Sequence, residues 1–274
     1  MLSMLRLLSI TALLSSALSA SNVDADIEKF LKKSFSKNPN IVKLDVKVQQ
    51  KVKLTKLKSW DAYVVNMAAT VKTRAKNRTI KQNVIWFSNG EVLTPELFDL
   101  KTGKSLKDTD VNLFKDEFYK EQNLISGDAN STHKVIIFSD PLCPFCKRNV
   151  PKTLKFMMKK PKEYAIYYVH FPLLTIHPAS GPLVKAAIAA EHNGAKDVVS
   201  KLYKIKVSTH ENNVSKILGE FNKVMKTNIK EADIKDEKVL QELKSDEDIA
   251  TSLMVSGTPS IYVDGKKANI TKYR

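Results

Sequence analysis

The chain has 274 residues, 45 Lys and Arg against 29 Asp and Glu, a formal net charge of +16, and 43% hydrophobic residues. That length exceeds one typical domain, so two domains are expected. The charge is almost wholly lysine, scattered from Lys29 to Lys272 with Arg6, Arg74, Arg78, Arg148 and Arg274 as the only arginines. This pattern argues against a nucleic-acid reader built on arginine forks and aromatic platforms, and reads as a solvated basic surface.

Residues 1–20 read as a secretory signal. Arg6 supplies the positive start, Leu7 begins a short apolar core that runs to Leu18, and Ala17, Ser19 and Ala20 permit cleavage after Ser19 or Ala20. The apolar run is shorter than the roughly 20 residues a spanning helix needs, although an uncleaved anchor is the alternative. Export would place the cysteines in an oxidising compartment. Residues 24–35 set Ile27, Phe30, Leu31 and Ser34 at helical spacing, with Asp24 or Asp26 as cap. Alternation over 41–48 predicts a half-buried strand, followed by strands at about 62–72 and 80–87. A turn at Ser88-Asn89-Gly90-Glu91 leads to a strand-like piece at 92–100. Residues 22–105 therefore read as a helix on a small antiparallel sheet. With no cysteine or histidine before His133, they suit a structural or association role. Val111, Leu113, Phe114 and Phe118 suggest one linker helix over about 106–124, and the polar run Gly127-Asp128-Ala129-Asn130-Ser131 marks the boundary.

The apolar run Val135-Ile136-Ile137-Phe138 predicts a buried strand, and it leads directly into Ser139-Asp140-Pro141-Leu142-Cys143-Pro144-Phe145-Cys146-Lys147. Cys143 and Cys146 are the only cysteines, and they open a helix that continues to about Met158 across Pro151. At a helix N-terminus the free amides and the macrodipole favour an anion, so the first thiol should ionise early. Two intervening residues on one turn let the second thiol close a disulfide with it. A zinc site would need about four ligands. His133, His170, His177, His192 and His210 are the only histidines, and none has finger-like spacing. Covalent haem would need His where Lys147 stands. A purely structural disulfide here would close a tiny loop, where cross-linking gains least. Lys147 and Arg148 are either exposed helix charges or stabilisers of a thiolate. His170 and His177 read as satisfied structural histidines.

A second apolar strand at 164–171 completes a strand–helix–strand unit with parallel strands. Residues 172–254 are predicted mostly helical, in segments at 183–191, 196–203, 214–225 and 235–253. Gly257-Thr258-Pro259 then enters a strand at 260–263, Asp264-Gly265 turns the chain, and 268–271 makes a brief partner strand.

The cysteine segment, Pro151 five residues beyond Cys146, and Gly257-Thr258-Pro259 before a strand together resemble the thioredoxin superfamily. More narrowly, the chain resembles periplasmic thiol:disulfide interchange proteins of the DsbC/DsbG type. That likeness implies an α+β, cystatin-like N-terminal dimerisation domain at 22–105 and a linker helix. It further implies an α/β thioredoxin-like catalytic domain at 125–274, with a helical insertion at about 172–254. Cys143 would be the exposed attacking cysteine and Cys146 the buried resolving one, with Pro144 and Phe145 tuning the pair. Thr258 and a cis Pro259 would face the disulfide as the substrate-binding loop. The likeness further implies no metal or cofactor, exported cysteine-containing clients, a membrane redox partner, a homodimer and a periplasmic location. Its activity would be disulfide isomerisation or interchange, with a DsbA-like oxidase, a dedicated reductase and a chaperone-like binding module as alternatives. Phe145 departs from the family's frequent His or Tyr, and the short stretch after the hairpin leaves the cover of one sheet face open.

Overall fold

The computed structural model describes residues 22–72 and 77–273, so the expected signal at 1–20 lies outside the described residues. The first helix, α1 (Val23–Phe35), buries Ile27 and Leu31 against Tyr63 and Val65, while Phe30 stays exposed. Its cap is Asn22, whose side chain accepts from the amide of Ala25; Asp24 and Asp26 lie in the first turn instead, where negative charge meets the helix dipole. The alternating segment extends further than predicted, as β1 (Ile41–Lys53), and pairs antiparallel with β2 (Asp61–Val71). Next come β3 (Arg78–Ser88) and β4 (Leu93–Thr94), giving a sheet ordered β1-β2-β3-β4. The strand expected over 92–100 is therefore only two residues long. Pro95 has no amide to extend the ladder, and only a single bridge, Phe98 to Ser105, follows.

The single linker helix is not formed. The segment holds one turn of helix, α2 (Leu106–Thr109), then irregular chain and short 3₁₀ turns at Asp116–Phe118 and Glu121–Asn123. Its apolar residues serve two cores. Val111 and Leu113 pack with Ala62, Ile85 and Phe87 of the four-stranded sheet, while Leu113, Phe114 and Phe118 pack with Phe138 and Tyr262 further along the chain. One straight helical stripe cannot face both. The Asp110 carboxyl also pins the segment by accepting from the amides of Thr55 and Lys56.

In a second sheet β5 (Leu124–Ser126), β6 (His133–Ser139), β7 (Tyr164–His170), β8 (Ser260–Val263) and β9 (Lys266–Ala268) are ordered β5-β7-β6-β8-β9. The β6–β7 pair is parallel and every other pair is antiparallel. All seven residues of β7 are buried, as a central strand covered on both faces requires. The period-two alternation sorts β6 between two layers. Val135 and Ile137 face α3 (Pro144–Met157) and the terminal 3₁₀ turn Ile270–Lys272, whereas Ile136 and Phe138 pack with Ile249 and Ala250 near the end of the chain's last long helix. Both faces are thus covered, which answers the question raised by the short stretch after the hairpin.

The predicted insertion contains α4 (Ser180–His192), α5 (Val198–Leu202), α6 (Val214–Met225) and that long helix, α7 (Glu237–Ser252). These elements share a core of their own that reaches Leu142 beside the cysteines. Asp264 and Gly265, both at positive φ, make the tight β8–β9 turn, so β9 starts two residues before the expected strand. Among the described residues, no helix is long and apolar enough to cross a membrane.

Candidate active site

The sheet delivers β6 to a turn at Asp140-Pro141-Leu142, and Cys143 then occupies the N-cap of α3 with extended backbone (φ −63°, ψ 125°). Pro144 follows at the first helical position, where its missing amide costs nothing and its fixed φ suits the helix. No side chain caps this helix and its first turn carries no acid. The Phe145 and Cys146 amides at this open end lower the Cys143 pKa.

The two thiols are unbonded and sharply unequal. A hydrogen bond from the Cys146 thiol, helped by the Cys146 and Phe145 amides and the Thr258 hydroxyl, pulls the Cys143 thiol down to about 5 against the opposing effect of burial. The same contact with Cys143, reinforced by burial, drives Cys146 far above the ordinary thiol range. One sulfur is thereby prepared as an anion and the other is held as its hydrogen-bond donor.

Cys143 is less open than an attacking cysteine was expected to be. It keeps 5% of its surface exposed, against 0% for Cys146. The loop at Thr258-Pro259 covers it, with the Cys143 sulfur 3.5 Å from the Thr258 carbonyl oxygen and the Thr258–Pro259 peptide cis. The Thr258 hydroxyl is buried without a well-formed hydrogen bond, and it lies within reach of both sulfurs. Phe145, 61% exposed, stands at the mouth of the site with the Arg148 guanidinium 5.7 Å from its ring centroid. That contact engages Arg148 with the ring. Burial lowers the Lys147 pKa, and neither cation ranks among the leading influences on Cys143.

Two groups that the sequence did not single out complete the site. Asp140 is fully buried, and its Oδ1 accepts from the amides of Leu142 (2.7 Å) and Cys143 (3.1 Å) and from the Ser180 hydroxyl (2.7 Å). Its Oδ2 accepts from the Leu173 amide (2.7 Å) and lies 3.0 Å from His177 Nδ1. His177 is therefore a satisfied structural histidine that ties the insertion to the cysteine turn. His170 is not satisfied in the same way. Burial pushes it down to about 3, and its buried Nδ1 has no partner although its amide donates to Asp246. The second group is Ser139, the buried last residue of β6, whose hydroxyl meets that of Tyr203 at 2.7 Å. An aspartate just past a buried strand and three residues before a cysteine was the only sequence signal for the first group. Among the described residues, no cluster of three or more His, Cys, Asp or Glu could hold a metal ion.

The thioredoxin family model matches residues 120–273, more than half of the chain and all of the cysteine-bearing sheet. The chain belongs to the thioredoxin family. Similar solved structures of this thioredoxin-like domain include a thioredoxin-like oxidoreductase from Silicibacter pomeroyi DSS-3, at 21% identity over 55% of this chain and 85% of that one, with a TM-score of 0.44. Proteus mirabilis ScsC in a compact conformation is 20% identical over 56% of this chain and 74% of that one, with a TM-score of 0.45. Oxidised BdbD from Bacillus subtilis is 22% identical over 56% of this chain and 88% of that one, also with a TM-score of 0.45. No curated protein matches the chain.

Proposed function

We propose that this thioredoxin-family chain is an exported, periplasmic thiol:disulfide oxidoreductase acting on cysteine-containing proteins of the same compartment. The observation that carries this reading is the placement of the pair: Cys143 sits at the N-cap of α3 with Cys146 in its first turn, facing the cis Thr258–Pro259 loop, an arrangement that pulls the Cys143 thiol down and pushes Cys146 up. At neutral pH the reduced enzyme then holds one thiolate and one thiol. The Cys143 thiolate attacks a client disulfide, forming a Cys143–client bond and releasing the second client sulfur as a thiolate. If a client thiolate attacks the client sulfur of that bond, a rearranged disulfide leaves and the Cys143 thiolate returns, which is isomerisation. If Cys146 attacks Cys143 instead, the client departs reduced and the enzyme is left with the Cys143–Cys146 disulfide. A membrane redox partner would then restore the dithiol.

Isomerisation or interchange of the DsbC/DsbG type, in a homodimer joined through residues 22–105, is the first reading. The helix and antiparallel sheet of that segment, which contribute no residue to the cysteine site, support it. A DsbA-like oxidase is the second reading, favoured by the low Cys143 pKa. A stabilised thiolate stabilises the reduced state and makes the disulfide more oxidising. Trapping tests the proposal. With Cys146→Ala, clients should accumulate as mixed disulfides on Cys143, and none should form with Cys143→Ala. A Cys146→Ala protein that traps nothing from an extract of the exporting cell would end this reading. Sedimentation of the intact protein tests the dimer.

A further inference from the structure

The helix α7 stops in a way that suits glycine, but no glycine is there. Its C-cap is Leu253, after which the Met254 amide donates to the Thr251 carbonyl at 3.1 Å and the Val255 amide to the Ala250 carbonyl at 2.8 Å. Those two bonds, with Val255 and Ala250 in one apolar cluster, form the helix stop that glycine usually makes. The residue at the turning point is Met254, at φ +53°. Glycine takes that left-handed conformation freely, whereas a Cβ crowds the following carbonyl oxygen. The other described non-glycine residues at positive φ are Asp197, Lys226 and Asp264, all charged, so Met254 is the one apolar residue so placed.

A residue held in such a conformation persists where its surroundings fix it. The Met254 side chain packs against the cluster of Leu54, Ala62, Val64, Ile85, Phe87 and Leu106, the core beneath the four-stranded sheet. Methionine suits that seat, since its unbranched thioether fills irregular apolar space. Strand β3 supplies a second tie at the same helix end, where the Asn83 side chain donates to the Thr251 carbonyl at 3.1 Å. Onward from Met254, only Val255, Ser256 and Gly257 intervene before Thr258, whose carbonyl oxygen is 3.5 Å from the Cys143 sulfur. Ser256 is exposed, and a Cβ at Gly257 would meet nothing within 4 Å. The Ser260 hydroxyl donates to the Gly257 carbonyl at 2.7 Å, which closes the short loop on itself. Val255 attaches this loop to the sheet that bears the cysteines, and Met254 attaches it to the other sheet.

We propose that Met254 is a positioning residue for the exchange at Cys143: its side chain, seated in the core of the four-stranded sheet, holds the Thr258–Pro259 loop over the reactive sulfur. The proposal rests on the exchange reading above and gives residues 22–105 a part in it through the loop alone. Cys143 keeps 5% of its surface exposed, so the seating of this cover governs how readily another molecule reaches the sulfur. The strained turn is retained because a glycine there would end the helix equally well but would leave the loop without its second attachment.

The test compares wild type with Met254→Gly, which suits the turn and removes the seated side chain, and Met254→Leu, which keeps an apolar side chain of similar size. The reduced proteins are alkylated with iodoacetamide at pH 8, where a thiol that titrates near 5 is fully ionised, and each cysteine is followed by mass spectrometry. Met254→Gly should alkylate Cys143 at least fivefold faster than wild type and Met254→Leu within twofold of it, with Cys146 silent in both. Formation of the Cys143 adduct from glutathione disulfide should quicken in step with alkylation. A Cys143 rate within twofold of wild type in Met254→Gly would overturn the proposal. Faster alkylation of both cysteines together would overturn it too, as general unfolding. If Met254→Gly does not fold, Met254→Asn, which also accepts the left-handed turn, decides by the same ratio. Wild-type protein that forms no adduct with glutathione disulfide would instead refute the exchange reading, while the alkylation ratio still decides whether Met254 seats the loop.

Discussion

Asp140 and Cys143 are joined twice across one turn. The Cys143 amide lies 3.1 Å from the Asp140 carboxyl oxygen Oδ1 and 3.2 Å from the Asp140 carbonyl oxygen. The same carboxyl gathers Leu142, Leu173, His177 and Ser180, so one buried side chain fixes both the cysteine turn and the start of the helical insertion. Its removal strands several buried donors at once, each costing about 1–3 kcal/mol when left unpaired. Asp140→Ala should therefore destabilise the protein by more than about 3 kcal/mol, with Asp140→Asn in between. Urea unfolding measures it, and a loss below about 1 kcal/mol would show that the turn stands without this anchor.

The Cys143 thiol should titrate near pH 5 in the reduced protein. Alkylation by iodoacetamide, followed by peptide mapping, should show Cys143 reactive from mildly acidic pH upward and Cys146 silent beside it. The pKa is depressed on folding, from roughly 8.5 in an unfolded chain. Its contribution to stability is therefore complete above that value and is lost as pH falls through about 5. The oxidised protein has no such thiol, so the stability of the reduced form relative to the oxidised form should rise between these limits. A pH-independent difference in denaturation midpoints would contradict the thiolate.

Asp246 behaves in the opposite sense. Burial, aided by Glu242 and Glu247, pushes its carboxyl up to about 8 despite hydrogen bonds from Asn123 and the His170 amide. Burial and the same acidic neighbourhood raise Glu191 to about 8 as well. A raised carboxyl favours folding below its unfolded pKa, and that contribution is lost as pH rises through the folded value. The melting temperature of the oxidised protein should therefore decline between pH 5 and pH 9, and Asp246→Asn should flatten the decline. Parallel slopes in the two proteins would exclude Asp246 as the cause.

Gly127 carries a steric constraint rather than an electrostatic one. At φ +78° an added Cβ would lie 2.3 Å from the Tyr164 carbonyl oxygen and 2.8 Å from the Ala165 Cα, both backbone atoms of a buried strand. Neither can retreat cheaply. Gly127→Ala should cost about 2 kcal/mol or more, whereas Gly103→Ala, with open space around its Cβ, should cost less. Equal melting temperatures for the two variants would refute the close approach.

What the sequence revealed follows from how locally each feature is encoded. The all-apolar runs of β6 and β7, the cysteines at a strand-to-helix junction and the segments of the insertion each show their pattern within a few residues. The linker misled because Val111, Leu113, Phe114 and Phe118 look like one helical stripe, although they are divided between two cores. Ser139 gave no sign of its place in the site, since a hydroxyl ending an apolar strand has no periodic signature and its partner Tyr203 lies 64 residues away. The low exposure of Cys143 depends on a loop 115 residues further along, and no local pattern could convey it.

Leu113 packs on both cores, and nearby the Asn83 side chain donates to the Thr251 carbonyl at 3.1 Å. Swinging residues 22–105 away would therefore strip cover from two apolar interiors together, a cost that either interior alone would not impose.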